Sequence, residues 1–381
     1  MSAGMTEERA ALVEAVRDFA EAALAPHAGT WDADKHFPID TLHQAGQMGL
    51  GGIYAREEFG GSGLSRQDAL AIFEELAKGD TTIAAYISIH NMVVWMIDTF
   101  GDAEQRARWI PKLATMEDLG SYCLTEPGAG SDAAAITTSA RREGDEYVIN
   151  GVKQFISGAG SSAVYIVMAR TNGPGSRGIS AIVVPADTPG LSFGPNEKKM
   201  GWNAQPTRQV ILEDVRVPVA NRLGDEGDGF GIAMKGLNGG RVNIGACSLG
   251  GAQWALDRAV SYVQDRHVFG LPLTANQTIV FRLAEMETDL QAARALLERA
   301  AEKMDAAAPD VAVACALAKR FATDAAFDVA NAALQLHGGY GYLHEYGIER
   351  VVRDLRVHQI LEGTNEIMQL IVGRAVIEQG R

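Results

Sequence analysis

Cysteine is scarce in this chain. Cys123, Cys247 and Cys315 are the only three in 381 residues. They lie far apart and form no CxxC, which argues against a disulfide framework or a zinc ribbon. Basic charge is also short: 34 Lys and Arg stand against 48 Asp and Glu, a formal net charge of −14. The electrostatic footprint of a nucleic-acid or anionic-membrane binder is therefore missing, and the acidity reads as solubility. No apolar run reads as a membrane span. The most apolar stretch, 83–97, is broken by Ser88, His90 and Asn91 and closed by Asp98. The opening MSAGMTEERAALVEAVRDFA has neither a basic n-region with an apolar h-region nor a transit-peptide character. No targeting segment is expected, and a reducing cytoplasm is the expected setting. Internal repeats, low-complexity tracts, GxSxG and HExxH are missing, and His267, His337 and His344 offer no metal-ligand spacing.

What is present falls into three segments, a helix–β–helix order that reads as α+β: an N-terminal helical domain at 1–119, a middle barrel-like β domain at 120–224 and a C-terminal four-helix bundle at 225–381. In the first, Leu12, Val16, Phe19 and Ala20 share one helical face. Ser65-Arg-Gln-Asp68 reads as a capping box before Leu70, Phe73 and Leu76, and Asp102 with Gln105 opens another helix. In the second, Asn150-Gly151 between two β-rich runs predicts a hairpin. Further strands are expected at 164–168, 179–184 and 209–212. In the third, Ile279, Leu283, Met286, Leu290, Ala293, Leu297, Ala300 and Met304 mark a bundle seam. A second helix carries Leu317, Phe321, Ala325, Val329 and Ala333 and stops at His337-Gly338-Gly339.

Two stretches could carry chemistry. Thr125-Glu-Pro-Gly-Ala-Gly-Ser131 has the glycines of a dinucleotide fingerprint but no helix after it, so a Rossmann reading is disfavoured. It is a structural turn or a loop whose N–H groups hold a cofactor's polar atoms, and the local residues do not choose. Glu362 has Ile360 and Leu361 before it and Gly363 after it. An apolar flank would raise its pKa and suit it to act as a base. A helix N-terminus just beyond would pull the pKa the other way, and local sequence favours that plainer reading.

Taken together, Tyr122-Cys-Leu-Thr-Glu-Pro-Gly-Ala-Gly-Ser-Asp, Phe155-Ile-Ser, Asp265-Arg-His-Val-Phe-Gly, Gln335-Leu-His-Gly-Gly-Tyr-Gly and Leu361-Glu-Gly-Thr, in this order along the chain, resemble the acyl-CoA dehydrogenase family. Tyr86-Ile-Ser-Ile-His-Asn, Leu237-Asn-Gly-Gly-Arg and Arg356-Val-His-Gln-Ile-Leu-Glu-Gly-Thr-Asn-Glu look most like its isobutyryl-CoA branch. The resemblance implies non-covalent FAD, α,β-dehydrogenation of a short branched acyl-CoA in valine breakdown, electron-transfer flavoprotein as acceptor, and a homotetramer. It makes Glu362 the base, with its backbone N–H stabilising the thioester oxygen. Tyr122, Leu124, Thr125 and Ser131 match the flavin loop, and Phe155, Ile156 and Ser157 the segment covering the ring. Arg266, Phe269, Gln277, Gln335 and Gly339 match residues that hold a neighbouring subunit's FAD. Thr364 and Glu366 match the last cofactor contacts, while Ser131, Asn238, Arg241 and Gly363 match the substrate side. No metal is implied.

Three positions depart from the common pattern: Phe155 replaces a Trp, Asn238 stands where Asp is common, and Leu361 replaces a Tyr. Gly240 occupies the place where members resembling isovaleryl-CoA dehydrogenase carry the base. Alternatives on the same sequence are a 2-methylbutyryl or short straight-chain substrate, an oxygen-using flavin oxidase, and a non-catalytic helical scaffold, against which the intact Glu362 and flavin loops argue.

Overall fold

The computed structural model describes residues 7–379, so the opening six residues of the N-terminal reading lie outside the described residues. Six helices come first: α1 (Glu7–Phe19), continued by a π-helical turn, α2 (Ala28–Asp34), α3 (Ile39–Gln47), α4 (Arg66–Gly79), α5 (Thr81–Phe100) and α6 (Ala103–Ala114). Both expected capping boxes form. Ser65 Oγ accepts from Asp68 N at 3.1 Å while the Asp68 carboxylate accepts from Ser65 N at 3.1 Å. Asp102 and Gln105 exchange the same pair of bonds at 2.8 and 2.9 Å. These bonds satisfy amides that the first helical turn leaves free.

The apolar run around 83–97 is longer in the fold than its polar interruptions suggest. Helix α5 spans 20 residues and is, among the described residues, the one helix long and apolar enough to cross a membrane. It is instead sunk in the protein, and its polar residues are satisfied there. His90 Nε2 bonds Leu113 O at 2.7 Å, and Asn91 bridges the backbone of Ile53 and Leu50.

The β segment has strands β1 (Gly120–Cys123), β2 (Ser139–Glu143), β3 (Glu146–Ser157), β4 (Val164–Arg170), β5 (Ile179–Pro185), β6 (Leu191–Phe193), β7 (Thr207–Pro218) and β8 (Arg222–Leu223). They run in the order β6-β7-β3-β2-β4-β5-β8, with β1 added parallel to β4. The two halves meet at a corner where the β2–β4 ladder pairs Ser139 with Arg170 alone. Ile149, Val210 and Leu212 from one half then share a core with Tyr165, Val167, Ile182 and Val184 from the other. The sheet folds over itself as a barrel does.

The expected hairpin at Asn150-Gly151 is not there. β3 runs straight through it, and β7 pairs with both sides across a bulge between Ile149 and Gly151. Asn150 is held by Asp214, whose side chain accepts at 3.0 Å and whose amide donates at 2.9 Å. Gly151 is required by crowding rather than by a turn: a Cβ there would lie 2.4 Å from Thr138 Oγ1. The hairpin instead turns at Gly144-Asp145, joining β2 to β3.

The last segment comprises α7 (Gly229–Asp265), a small hairpin β9 (His267–Val268) and β10 (Leu271–Pro272), α8 (Gln277–Asp305), α9 (Val311–His337), α10 (Ile348–Arg356) and α11 (Asn365–Gln379). The seam of α8 is buried from Met286 to Ala301, but Ile279 and Leu283 are only partly covered. On α9 the expected stripe is buried at Ala325, Val329 and Ala333 and part-buried at Phe321, but Leu317 is 42 % exposed, and Cys315, Ala318, Ala322 and Ala326 widen the inward face. The bundle does not close on itself, because α7 packs on α4 and α5 as well as on α8 and α9. Phe73 and Leu76 of α4 lie in one core with Leu249, Leu290 and Leu297. The three cysteines are buried and unpaired.

Candidate active site

The chain between α10 and α11 passes through two consecutive left-handed residues, Glu362 (φ 56°) and Gly363 (φ 90°). Glycine accepts this region freely, whereas for Glu it is strained and must be held by its surroundings. Three anchors hold it. Arg241 on α7 donates from Nε to Glu362 O at 3.0 Å, its Nη1 bonding Asn238 Oδ1 at 2.8 Å. Lys319 on α9 donates to Gly363 O at 2.9 Å and to Asn365 Oδ1 at 2.8 Å. Just before the loop, buried His358 accepts from Trp202 Nε1 at 3.2 Å and bonds Ser248 Oγ at 2.7 Å. Because an indole N–H can only donate, His358 Nε2 is the acceptor and Nδ1 carries the proton. Burial holds this ring neutral, at about 3.

The Glu362 carboxylate ends in a buried Oε2 with no hydrogen-bond partner. Burial pushes its pKa up to about 7, with Arg241 and Lys319 pulling part of the way back. Desolvation thus outweighs any pull from the start of α11. The Tyr122 hydroxyl is likewise buried and unpartnered; burial first and the Glu362 charge second raise its pKa well above the usual phenol range. On the other side lies Gly240, where a Cβ would stand 2.4 Å from Oε2 and 2.8 Å from Oε1. The alternative base position and the Glu362 head therefore compete for one volume. An unpartnered carboxylate with a pKa near neutrality can take up a proton at once, as a general base requires.

The loop after β1 is built separately. Glu126 accepts from Thr137 N at 2.6 Å, Thr138 N at 2.9 Å and Lys153 Nζ at 2.8 Å, and Lys153 also donates to Leu124 O at 3.1 Å. Burial alone would raise the Glu126 pKa, but Lys153 and these donors pull it down to about 2. Beyond this anchor Gly128 and Gly130 have nothing within 4 Å of a Cβ position, and Pro127 and Ser131 are exposed. Leu124 is buried and Thr125 half-buried, its carbonyl accepting from Gln154 N at 2.8 Å. Next to Gln154, a second bulge in β3 throws Phe155 outward at φ 59° and 64 % exposure. Ile156 is buried behind it, and Ser157 is half-buried with its hydroxyl accepting from Gln205 Nε2 at 3.2 Å.

A third set lies elsewhere. An open groove of about 630 Å³ is lined by Arg266, Gln335 and Gly339 with Tyr262, Tyr340 and Leu343, and includes none of the residues around Glu362. Phe269, at the tip of the β9–β10 hairpin with φ 52°, is fully exposed; Gln277 is also exposed, and neither lines the groove. Thr364 accepts from Ile367 N at 3.4 Å, and Glu366 is exposed. Sequence reading passed over Lys153, Glu126, His358, Asn365 and Lys319 as functional residues. For Lys319 a signal existed: a lysine four residues after Cys315 and four before Thr323, on the apolar side of α9.

Family profiles for the acyl-CoA dehydrogenase N-terminal, middle and C-terminal domains match residues 6–117, 121–215 and 227–377. Isobutyryl-CoA dehydrogenase of Bos taurus is 53% identical over 99% of this chain and 91% of its own length. The structure of butyryl-CoA dehydrogenase from Megasphaera elsdenii superposes with a TM-score of 0.96 at 38% identity, covering 99% of this chain and all of that one. A chain from a structure of the electron transferring flavoprotein of Acidaminococcus fermentans superposes with a TM-score of 0.96 at 37% identity, with coverage of 99% and 100%. The chain belongs to the acyl-CoA dehydrogenase family, oxidoreductases acting on CH–CH bonds with FAD. The residues present suit that cofactor. A glycine-rich loop with free surroundings lies beside an exposed aromatic, and a lone arginine and Gln335 line an open groove.

Proposed function

We propose that this chain dehydrogenates isobutyryl-CoA, with Glu362 as the base that takes the α-proton, and that electrons pass on to an electron-transfer flavoprotein in valine breakdown. FAD, when bound, supplies the acceptor for the β-hydride. The observation that carries the reading is the Glu362 carboxylate, whose Oε2 is buried and unpartnered and whose pKa desolvation raises to about 7. Arg241 and Lys319 hold the backbone of the Glu362-Gly363 turn, and Tyr122 and the Gly240 backbone face the carboxylate. The 124–131 loop, Phe155 and Ser157 would hold the flavin, and Ser131, Asn238 and Gly363 lie on the substrate side. The substrate branch is supported by 53% identity to the Bos taurus isobutyryl enzyme against 38% to the Megasphaera elsdenii butyryl enzyme. The likeness to the Acidaminococcus fermentans chain supports the acceptor. The groove at Arg266, Gln335 and Gly339, apart from Glu362 in the same chain, suits a homotetramer in which it meets a neighbour's cofactor. A cytoplasmic setting completes the proposal.

The test is anaerobic flavin bleaching by isobutyryl-CoA. Glu362→Gln should keep FAD and acyl-CoA binding and lose roughly 10²–10⁴-fold or more in bleaching rate, as expected when a general base is removed. Rapid bleaching in that variant places the base elsewhere. A rate optimum at octanoyl-CoA overturns the substrate assignment, and a stable FAD-loaded monomer in light scattering overturns the tetramer.

A further inference from the structure

Among the described residues Lys319 is one of two fully buried lysines, and unlike the other, Lys153, it bonds no carboxylate. Its two acceptors, Gly363 O and Asn365 Oδ1, lie on either side of Thr364, so one cation closes the turn that follows Glu362. Asn365 is in turn fixed to α9: its Nδ2 donates to Thr323 Oγ1 at 3.0 Å and to Asp324 Oδ1 at 2.7 Å. A buried charge with only neutral partners is expensive, and the same fold could have satisfied the turn with a neutral donor. We propose that Lys319 is a positioning residue for proton abstraction, holding the left-handed Glu362-Gly363 turn and acting as a cation, hydrogen-bonded to no carboxylate, on the Glu362 carboxylate.

This inference rests on the reading of Glu362 as base. The charged and titratable groups facing Glu362 are Arg241 from α7, Lys319 from α9 and Tyr122 from β1. Those acting on Lys319, besides Glu362, are Arg241, Asp324 and, from α11, Glu366, and the buried His358, held neutral, also feels the lysine charge. Burial lowers the lysine to about 8, with Glu362 pulling it back up, so at neutral pH it is still mostly charged. That charge favours the ionised, proton-accepting form of Glu362.

The test uses FAD-loaded full-length enzyme. Lys319→Met should slow flavin bleaching by about 10²-fold at pH 7, the scale of a misplaced reacting group. It should also move the acid limb of the bleaching rate upward by about one pH unit, because an opposite charge has been removed. Amide exchange in the segment 362–366 should rise. Asn365→Ser loosens the turn and leaves every charge in place, so it should slow bleaching with the limb unmoved. Lys319→Met at wild-type rate with an unmoved limb overturns the proposal. So does a slowed Lys319→Met whose limb stays put while Asn365→Ser runs at wild-type rate, the pattern of ordinary core damage. If Lys319→Met does not fold, Asn365→Ser decides: slowed bleaching supports the proposal and a wild-type rate overturns it. Glu362→Gln, run alongside, separates the two levels. If it bleaches rapidly, the base reading fails; if it is inactive while Lys319→Met is normal, only this inference fails.

Discussion

The loop after β1 and the loop before α11 are each pinned by a fully buried lysine that donates to a backbone carbonyl, Lys153 to Leu124 O and Lys319 to Gly363 O. Their surroundings differ. Lys153 is paired with Glu126, itself 5 % exposed and bonded by two backbone amides, so the charges cancel and the anchor adds little field to its neighbourhood. Lys319 faces only neutral acceptors, and its charge reaches Glu362. One loop needs shape alone. The other, on the proposed reading of Glu362 as base, needs shape and a tuned proton affinity, which a neutralised pair could not supply.

Breaking the paired anchor should give the largest change in stability. Lys153→Met leaves Glu126 buried without its cation and should cost about 3–5 kcal/mol, read by chemical denaturation, with loss of bound FAD. The double variant Lys153→Met with Glu126→Gln should recover part of that loss, since both charges are then gone. A double variant no more stable than the single would contradict the picture of a self-contained pair.

A smaller effect should separate geometry from stability at the base loop. In Gly240→Ala the three atoms nearest the new methyl group all belong to the Glu362 head, within 2.8 Å. The carboxylate must swing away, so the bleaching rate should fall about tenfold or more, in line with the cost of misplacing a reacting group. Position 240 lies inside helix α7, where alanine is preferred by roughly 0.5–1 kcal/mol. The melting temperature should therefore hold or rise. A fall in both quantities would mean that the backbone moved instead.

The smallest effect is a pH dependence that Glu362 in the base loop should show and Glu126 in the paired anchor should not. Glu362 is raised from 4.5 to about 7, so proton binding favours the folded state. Its contribution is fully present below about pH 4.5 and is lost as pH rises through about 7. Thermal scans of ligand-free protein should show Glu362→Gln gaining on wild type as pH goes from 5 to 8, by a few degrees at most. Glu126, held low, should be silent over that window. A constant difference between the two proteins would show that Glu362 is ionised throughout.

Legibility followed range. The capping boxes at Ser65 and Asp102 are contained in four consecutive residues, and they form as read. The Asn150-Gly151 signal was equally local and failed, because β7 pairs along both sides of it and Asp214 claims the Asn150 side chain. On α9 the spacing of four was right and its face is buried at Ala325, Val329 and Ala333, but Leu317 at its start is exposed, since the position of α7 and α8 decides how far the inside face extends.

The order of helical, β and helical segments, the helix starts, the low cysteine content and the family motifs are properties of short stretches of chain, and the amino-acid sequence alone determined them. The behaviour of Glu362 is not of that kind. Read locally it is an acid near a helix start, which predicts a low pKa. Its raised pKa comes from desolvation, which the cations Arg241 and Lys319 only partly offset, and its neighbours Gly240, Arg241, Lys319 and Tyr122 lie 43 to 240 positions away, so that only the folded chain brings them together. Desolvation depends on what surrounds a group in three dimensions, so tertiary structure decided which carboxylate becomes the candidate base.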